Sequence, residues 1–226
     1  MPSIPIYRAK DRIGALTTVS ANPKTGNMQQ LYILPDTMSP YEAVKTGNDK
    51  KVCGECDGRG TASGGKGWCY VLVFQGPRQV WETVKNMAVQ KAPETTQPVR
   101  LGAWGDPAFL PFRLVKNLVK GRRWTGYTHQ WNEKSAKWAQ YCMASVDNNM
   151  ATRLGLTISQ LRQKAKALGY RTYRMVHNAN ELEKDEVLCP HESHSVQCIT
   201  CGLCNGAGKA KSVAVLATGG QKGAYI

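Results

Sequence analysis

No apolar run in this 226-residue chain is long enough to span a bilayer as a helix, which takes about twenty consecutive residues. The first residues, Met1 to Arg12, mix apolar and charged side chains and form no signal region. Nothing there directs the chain out of the cell, so the expected location is the cytoplasm. Neither an internal repeat nor a low-complexity tract stands out, which leaves a compact fold. The phosphate-loop pattern GxxxxGK[ST] does not occur, and no nucleophile elbow is found. P-loop chemistry and a Ser-His-Asp hydrolase are thereby set aside. Acids are scarce: 16 Asp and Glu stand against 30 Lys and Arg, for a net charge of +14. Such an excess favours a polyanionic partner, and nucleic acid is the usual one.

What is present fits a single domain over residues 1–226, with 42% apolar residues, enough for a full core. Turn signals at Asn22-Pro23, Thr25-Gly26-Asn27 and Pro35-Asp36 suggest an irregular collar over residues 1–52, with a short strand at Gln30 to Leu34. Ser39, Pro40 and Glu42 spell a helix start with a capping box. Residues 53–69 form a first cysteine loop, rich in glycine (Gly54, Gly58, Gly60, Gly64, Gly65) as far as Lys66. A β/α core is expected over 70–188: a buried strand at Tyr70 to Phe74, a helix at Arg78 to Ala88, then alternating elements. The strands are Val99–Ala103, Arg123–Tyr127, Cys142–Val146 and Tyr170–Val176. The helices are Phe112–Val119, Lys134–Tyr141 and Ser159–Leu168, the last capped by Gly169. A segment over 189–226 carries the remaining cysteines and a last strand at Val213 to Ala217. Alternation with short turns points to an α/β fold with a mainly parallel sheet. The chain is too short for eight strand–helix units, so a partial (β/α) barrel-like sheet is expected.

Polar residues sit just past the strand ends: Asp106, His129, Ser145 with Asp147, and His177. In parallel sheets ligands bind at that edge, although Asp, Ser and His are also ordinary turn residues.

Eight cysteines in a reducing compartment argue for metal or redox chemistry rather than disulfides. Cys189, Cys198, Cys201 and Cys204 bring four thiolates together. Their two successive CxxC steps resemble an iron–sulfur binding run more than two separated zinc knuckles, and zinc stays as the alternative. His191 and His194 are reserve ligands or loop residues. Cys53, Cys56 and Cys69 supply three ligands and leave a coordination position open. That suits a cluster with one free iron, or a zinc site completed by a histidine or by Cys142. Cys142, inside a strand, is by default a buried inert thiol.

The runs Arg100-Leu-Gly-Ala-Trp-Gly-Asp-Pro107, Trp124-Thr-Gly-Tyr-Thr-His-Gln-Trp131, Met143-Ala-Ser-Val-Asp147, Gly169-Tyr-Arg-Thr-Tyr-Arg174 and the segment from Cys189 to Gly206 together resemble a family of phage-encoded cysteine-rich proteins. No firm activity attaches to that family, and the location it implies is the host cytoplasm. More distantly, Cys69-Tyr70, Gly105-Asp106 and Tyr127-Thr128 are similar to features of phage radical S-adenosylmethionine-like proteins. The radical-enzyme loop is CxxxCxxC, whereas here CxxC is followed by twelve residues and Cys69.

These readings converge on a phage iron–sulfur protein, with one or two 4Fe-4S clusters on a radical-enzyme-like scaffold, that binds or acts on nucleic acid. S-adenosylmethionine is a further cofactor implied by the resemblance. Asp106, His129 and Asp147 are the expected catalytic residues, and Tyr127 and Ser145 the expected cofactor-binding ones. Lys116, Lys120, Arg122, Arg123, Arg162, Lys164, Lys166, Arg171 and Arg174 are expected to meet phosphates, with Trp124, Trp131 and Tyr127 stacking bases. The alternative is a zinc-stabilised, non-enzymatic DNA- or RNA-binding accessory protein of phage replication or transcription.

Overall fold

The computed structural model describes residues 2–20, 22–60 and 67–217. Gly64, Gly65 and Lys66 of the glycine-rich segment, and the C-terminal segment past Ala217, lie outside them.

The chain forms one mostly parallel nine-stranded sheet. Its strands are β1 (Ser3–Ala9), β2 (Arg12–Thr17), β3 (Gln29–Pro35), β4 (Val99–Trp104), β5 (Trp124–Thr128), β6 (Met143–Ser145), β7 (Thr172–Val176), β8 (Glu186–Leu188) and β9 (Ser212–Leu216). The spatial order is β1-β2-β3-β4-β5-β6-β7-β9-β8. β1 and β2 pair antiparallel, as do β2 and β3, and every later pairing is parallel. Among the described residues β1 and β8 each pair on one side only, so the sheet is open and not closed into a barrel.

The collar expected over residues 1–52 is therefore corrected. It is a hairpin, β1–β2, that extends the parallel sheet, with Ala9 opposite Arg12 across the turn. Pro5 is tolerated because β1 is an edge strand, and the register shifts between Pro5 and Tyr7. The strand expected at Tyr70 to Phe74 is not formed either. Tyr70, Leu72 and Phe74 are exposed, and among the described residues no strand pairs with them.

Helices follow the strands: α1 (Pro40–Thr46), α2 (Lys50–Cys53), α3 (Gly76–Val84), α4 (Phe112–Val119), α5 (Asn148–Arg153), α6 (Ile158–Ala167), α7 (Pro190–His194) and α8 (Cys198–Cys201). The Ser39–Glu42 capping box on α1 is present as expected. Residues Glu133–Gln140 are a 3-10 helix rather than an α-helix. Val80 and Val84 of α3, Val115 and Leu118 of α4, and Leu161 and Ala165 of α6 are buried in one core with Leu101 and Ala144 of the sheet. Met143, Val213 and Val215 belong to a separate, smaller cluster with Cys189 and Cys204. Alternation along each strand produces this division, since successive side chains point to opposite faces. One face takes the main helices. The other, bearing Arg100, Tyr127, Ser145, Tyr173 and Met175, lines a cavity. Among the described residues no helix is long and apolar enough to cross a membrane.

Candidate functional site

The cavity has a volume of about 360 Å³ and opens at the C-terminal edge of the parallel strands. Two glycines shape the end of β4. Gly102 and Gly105 have φ of 70° and 79°, and a Cβ on Gly105 would lie 2.3 Å from the Ile33 carbonyl oxygen. Only glycine allows the chain to turn this tightly against β3. The turn delivers Asp106, which is buried. Its carboxylate accepts hydrogen bonds from the Ala108 amide (3.0 Å), the Thr128 hydroxyl (2.8 Å) and the His129 amide (2.7 Å). Burial raises the Asp106 pKa, against the pull of His129 and these donors.

Asp147 caps α5 through Oδ1, which accepts from the Met150 amide at 2.8 Å. Its Oδ2 is buried and lacks a hydrogen-bond partner among the described residues, and the same holds for His129 Nε2. Burial raises the Asp147 pKa, opposed chiefly by His129. Asp106, His129 and Asp147, together with Tyr127 and Ser145, all line the one cavity. His177 does not line it and lies on the exposed side of the strand end.

The first cysteine loop forms one wall. Cys53 ends α2, and the amide of Asp106 donates to the Val52 carbonyl at 2.7 Å, fixing the loop to the end of β4. Gln130 Nε2 donates to the Cys53 carbonyl at 3.2 Å, fixing it to β5 as well. Inside the loop, Arg59 makes a two-pronged pair with Asp49, at 2.9 and 2.8 Å, with both side chains buried. Asp57 pairs with Arg153 at 3.0 Å, joining the loop to α5. The Cys69 amide donates to the Gly58 carbonyl at 2.9 Å, which closes the loop on itself. Cys53, Cys56 and Cys69 all face the cavity. Burial foremost pushes the Cys56 thiol up to about 12 and the Cys69 thiol up to about 11, and Cys53 is raised by burial and by these two neighbours.

The second set gathers below. The Cys189 amide donates to Ala214 of β9, and the Cys198 and Ile199 amides donate to Lys24 and Thr25. The Cys204 carbonyl accepts from Gly126 of β5 at 2.8 Å. Gly206, at φ 73°, allows the chain to lie against β6: a Cβ there would come within 2.5 Å of the Cys142 nitrogen. Burial pushes the Cys204 thiol up to about 12; the Tyr127 hydroxyl bonded to it acts in the opposite direction, and Cys189, Cys198 and Cys201 add repulsion. Cys198 lines a second cavity of about 250 Å³ that shares Trp68, Tyr70, Arg100, Tyr127, Tyr173 and Met175 with the first. The first thiol set and Cys198 of the second thus line two adjoining cavities that share these walls. Cys142 is buried in the helix-side core and belongs to neither set. Among the described residues no group of three or more His, Cys, Asp or Glu side chains is placed to hold a metal ion.

The expected phosphate contacts divide. Arg162 is fully buried and pairs with Glu183, Asp185 and Glu186, and Arg174 is buried against Glu186 at 2.7 Å. Arg122 is buried and donates to the Gln97 and Leu118 carbonyls and to Gln29. Arg171 donates to the Leu203 and Lys211 carbonyls. These four arginines brace the fold and are not free to meet phosphates, which corrects their assignment. Lys166 is ion-paired with Asp185, and Arg123 donates to the Thr200 carbonyl. Lys116, Lys120 and Lys164 are exposed on α4 and α6. Trp131 is buried with its indole on the Ser145 carbonyl, and half-buried Trp124 donates to the Tyr141 carbonyl. Packing occupies both, which removes them as base-stacking platforms; Tyr127 lies in the cavity instead.

Sequence reasoning passed over Asp49 and Arg59, the pair that braces the first loop, and Arg100 and Tyr173 inside the cavity. Their inward placement follows from strand register, which composition does not reveal. No family model matches the chain, and neither a curated protein nor a solved structure matches it.

Proposed function

We propose that this chain is an iron–sulfur protein of the radical-enzyme-like kind, with a three-thiol cluster site at the cavity mouth and a four-thiol site at its far end. The observation that carries the reading is the sorting of the cysteines. Cys53, Cys56 and Cys69 line the first cavity and Cys198 lines the adjoining one, whereas Cys142 is buried in the helix-side core. The donor set fits. Cys53, Cys189 and Cys204 are buried, Cys56, Cys198 and Cys201 half-buried and Cys69 exposed; neighbouring thiols resist ionising together, and bound iron would supply the compensating positive charge. A cluster takes one thiolate per iron and therefore needs the thiols spread more widely than a single tetrahedral ion does.

Cys53, Cys56 and Cys69 would hold the first cluster and leave one iron open. Cys189, Cys198, Cys201 and Cys204 would hold the second. When bound, the open iron supplies a site for a small-molecule donor group, as in S-adenosylmethionine, and electrons for its cleavage. The protein's own residues do the rest. Asp106 locks the ends of β4 and β5 together. His129 Nε2 and Asp147 Oδ2, both buried without hydrogen-bond partners among the described residues, offer a donor–acceptor pair for a ligand amine, hydroxyl or carboxyl group. Tyr127 and Ser145 line the wall. The cavity draws residues from β4 through β7, as the concave face of a partial barrel would. Nucleic acid remains the proposed macromolecular partner, supported by the +14 charge and by Lys116, Lys120 and Lys164 on the outer helices.

The test is S-adenosylmethionine cleavage by the anaerobically purified chain under reducing conditions. Formation of 5′-deoxyadenosine and methionine, abolished in Cys56→Ser, supports the reading. An iron-loaded protein that neither binds nor cleaves S-adenosylmethionine removes the radical-enzyme part.

A further inference from the structure

Arg100 differs from every other arginine that the fold withdraws from solvent. Arg8 pairs with Asp36, Arg12 with Asp11, Arg59 with Asp49, and Arg162 and Arg174 with Glu186. Arg122 and Arg171 are held by backbone carbonyls. Arg100 is half-buried, and its guanidinium has no carboxylate among the described residues. Its one polar contact among the described residues is the Tyr70 hydroxyl, at 3.5 Å.

Position adds to this. In β4, Arg100 lies between Gln30 of β3 and Thr125 of β5, on the cavity face, while its neighbours Val99 and Leu101 are fully buried. It lines both cavities described above and a third, adjoining one beside Tyr32 and Pro77. Tyr127 and Tyr173 stand beside it with ring centroids 4.0 Å apart, and Trp68 closes the same space. A guanidinium removed from bulk water without a counter-charge is costly unless an anion completes it. Its planar donor fork matches a carboxylate or phosphate in two-pronged fashion.

We infer that Arg100 anchors an oxyanion, a carboxylate or a phosphate, of the molecule bound between the two thiol sets, with the flat walls of Trp68, Tyr127 and Tyr173 holding its apolar part. This rests on the reading of the cavity as a substrate site, and it does not require either cluster to be loaded. An anion at Arg100 would place the substrate body within the passage joining the cavities, with Cys69 toward one end and Cys198 toward the other.

Site-resolved labelling of the full chain with phenylglyoxal tests this, using inorganic phosphate and acetate as probes at matched ionic strength. Arg100 should label, and an oxyanion at about four times its Kd should slow that labelling about fivefold, because protection tracks occupancy. Exposed Arg78 and Arg113 should be unaffected. Protection by phosphate alone identifies a phosphate ligand, and protection by acetate alone a carboxylate. An Arg100 that does not label, or one that labels equally fast with either probe present, overturns the anion site. In a parallel thermal-unfolding measurement, the Tm rise given by the protecting anion should vanish in Arg100→Gln and persist in Arg78→Gln; an unchanged rise in Arg100→Gln also overturns it. Iron measured on the same preparation separates the two claims. Iron present without protection sinks the anion site alone, and protection without iron sinks the cluster reading alone.

Discussion

The carboxylate of Asp106 accepts a hydrogen bond from the backbone amide of His129 at 2.7 Å, so the ends of two adjacent parallel strands share one buried acceptor. The same carboxylate takes the Thr128 hydroxyl and the Ala108 amide. Asp106→Ala leaves all three donors without their acceptor in a buried site. A loss of about 2–4 kcal/mol is expected, at roughly 1–3 kcal/mol for each group left unsatisfied with partial relaxation. Urea unfolding of the metal-free chain measures it. A loss within error of zero would mean that the donors are satisfied elsewhere.

Asp147 gives a prediction of opposite sign. Burial raises its carboxyl above the ordinary value, and Oδ2 has no hydrogen-bond partner among the described residues. A carboxyl with a raised folded-state pKa contributes stability that is complete below the unfolded value of about 3.9 and is lost as pH rises through the folded value. Asn keeps the oxygen that caps α5 and has no charge to bury. Asp147→Asn should therefore match the parent chain near pH 3 and exceed it by about 1 kcal/mol at pH 7, while losing function. A variant less stable at pH 7 would show the carboxylate to be favourably engaged.

Gly206→Ala should act on the second thiol set from outside it. The added Cβ would press on the Cys142 backbone, and φ of 73° disfavours any side chain. The segment carrying Cys204 must then shift away from β5. Iron content should fall by the share of one cluster, with the first set still loaded. Full retention of iron would show that this packing does not position Cys204.

Of the cations expected to meet phosphates, Lys116, Lys120 and Lys164 are exposed, whereas Arg122, Arg162, Arg171 and Arg174 are occupied within the fold. Affinity for duplex DNA should fall steeply with salt. Lys116→Ala with Lys120→Ala should lower the slope of log K against log salt by up to about 2, at roughly 0.9 per phosphate contact. Absent or salt-insensitive binding contradicts the partner assignment.

The parallel half of the sheet was legible because β4, β5, β6 and β7 are short apolar runs ended by Asp106, His129, Asp147 and His177, and that local pattern needs no partner to be read. The hairpin β1–β2 was not. Pro5 and the charged run Lys10-Asp11-Arg12 interrupt the pattern, and the strands are secured by pairing with distant Leu31 to Pro35. The run Tyr70 to Phe74 misled for the converse reason: its composition suits a strand, but among the described residues no strand pairs with it. Spacing alone placed Cys53, Cys56 and Cys69 on one loop, and that loop lines the cavity. The fate of Arg162 was not legible, because Glu186 reaches it only after the turn following β7 brings β8 alongside β9.

Metal and acid-labile sulfide analysis of anaerobically purified chain, run beside Cys56→Ser, Cys201→Ser and Cys142→Ser, tests the central claim most directly. The account predicts a brown protein with about eight irons matched by sulfide, about four in each of the first two variants, and an unchanged content in Cys142→Ser. Cys201→Ser should also be the less stable of the two cluster variants, since its segment bonds to Lys24, Thr25, β5 and β9. A colourless protein with stoichiometric zinc, or variants at Cys56 and Cys201 that keep their full iron, would contradict it.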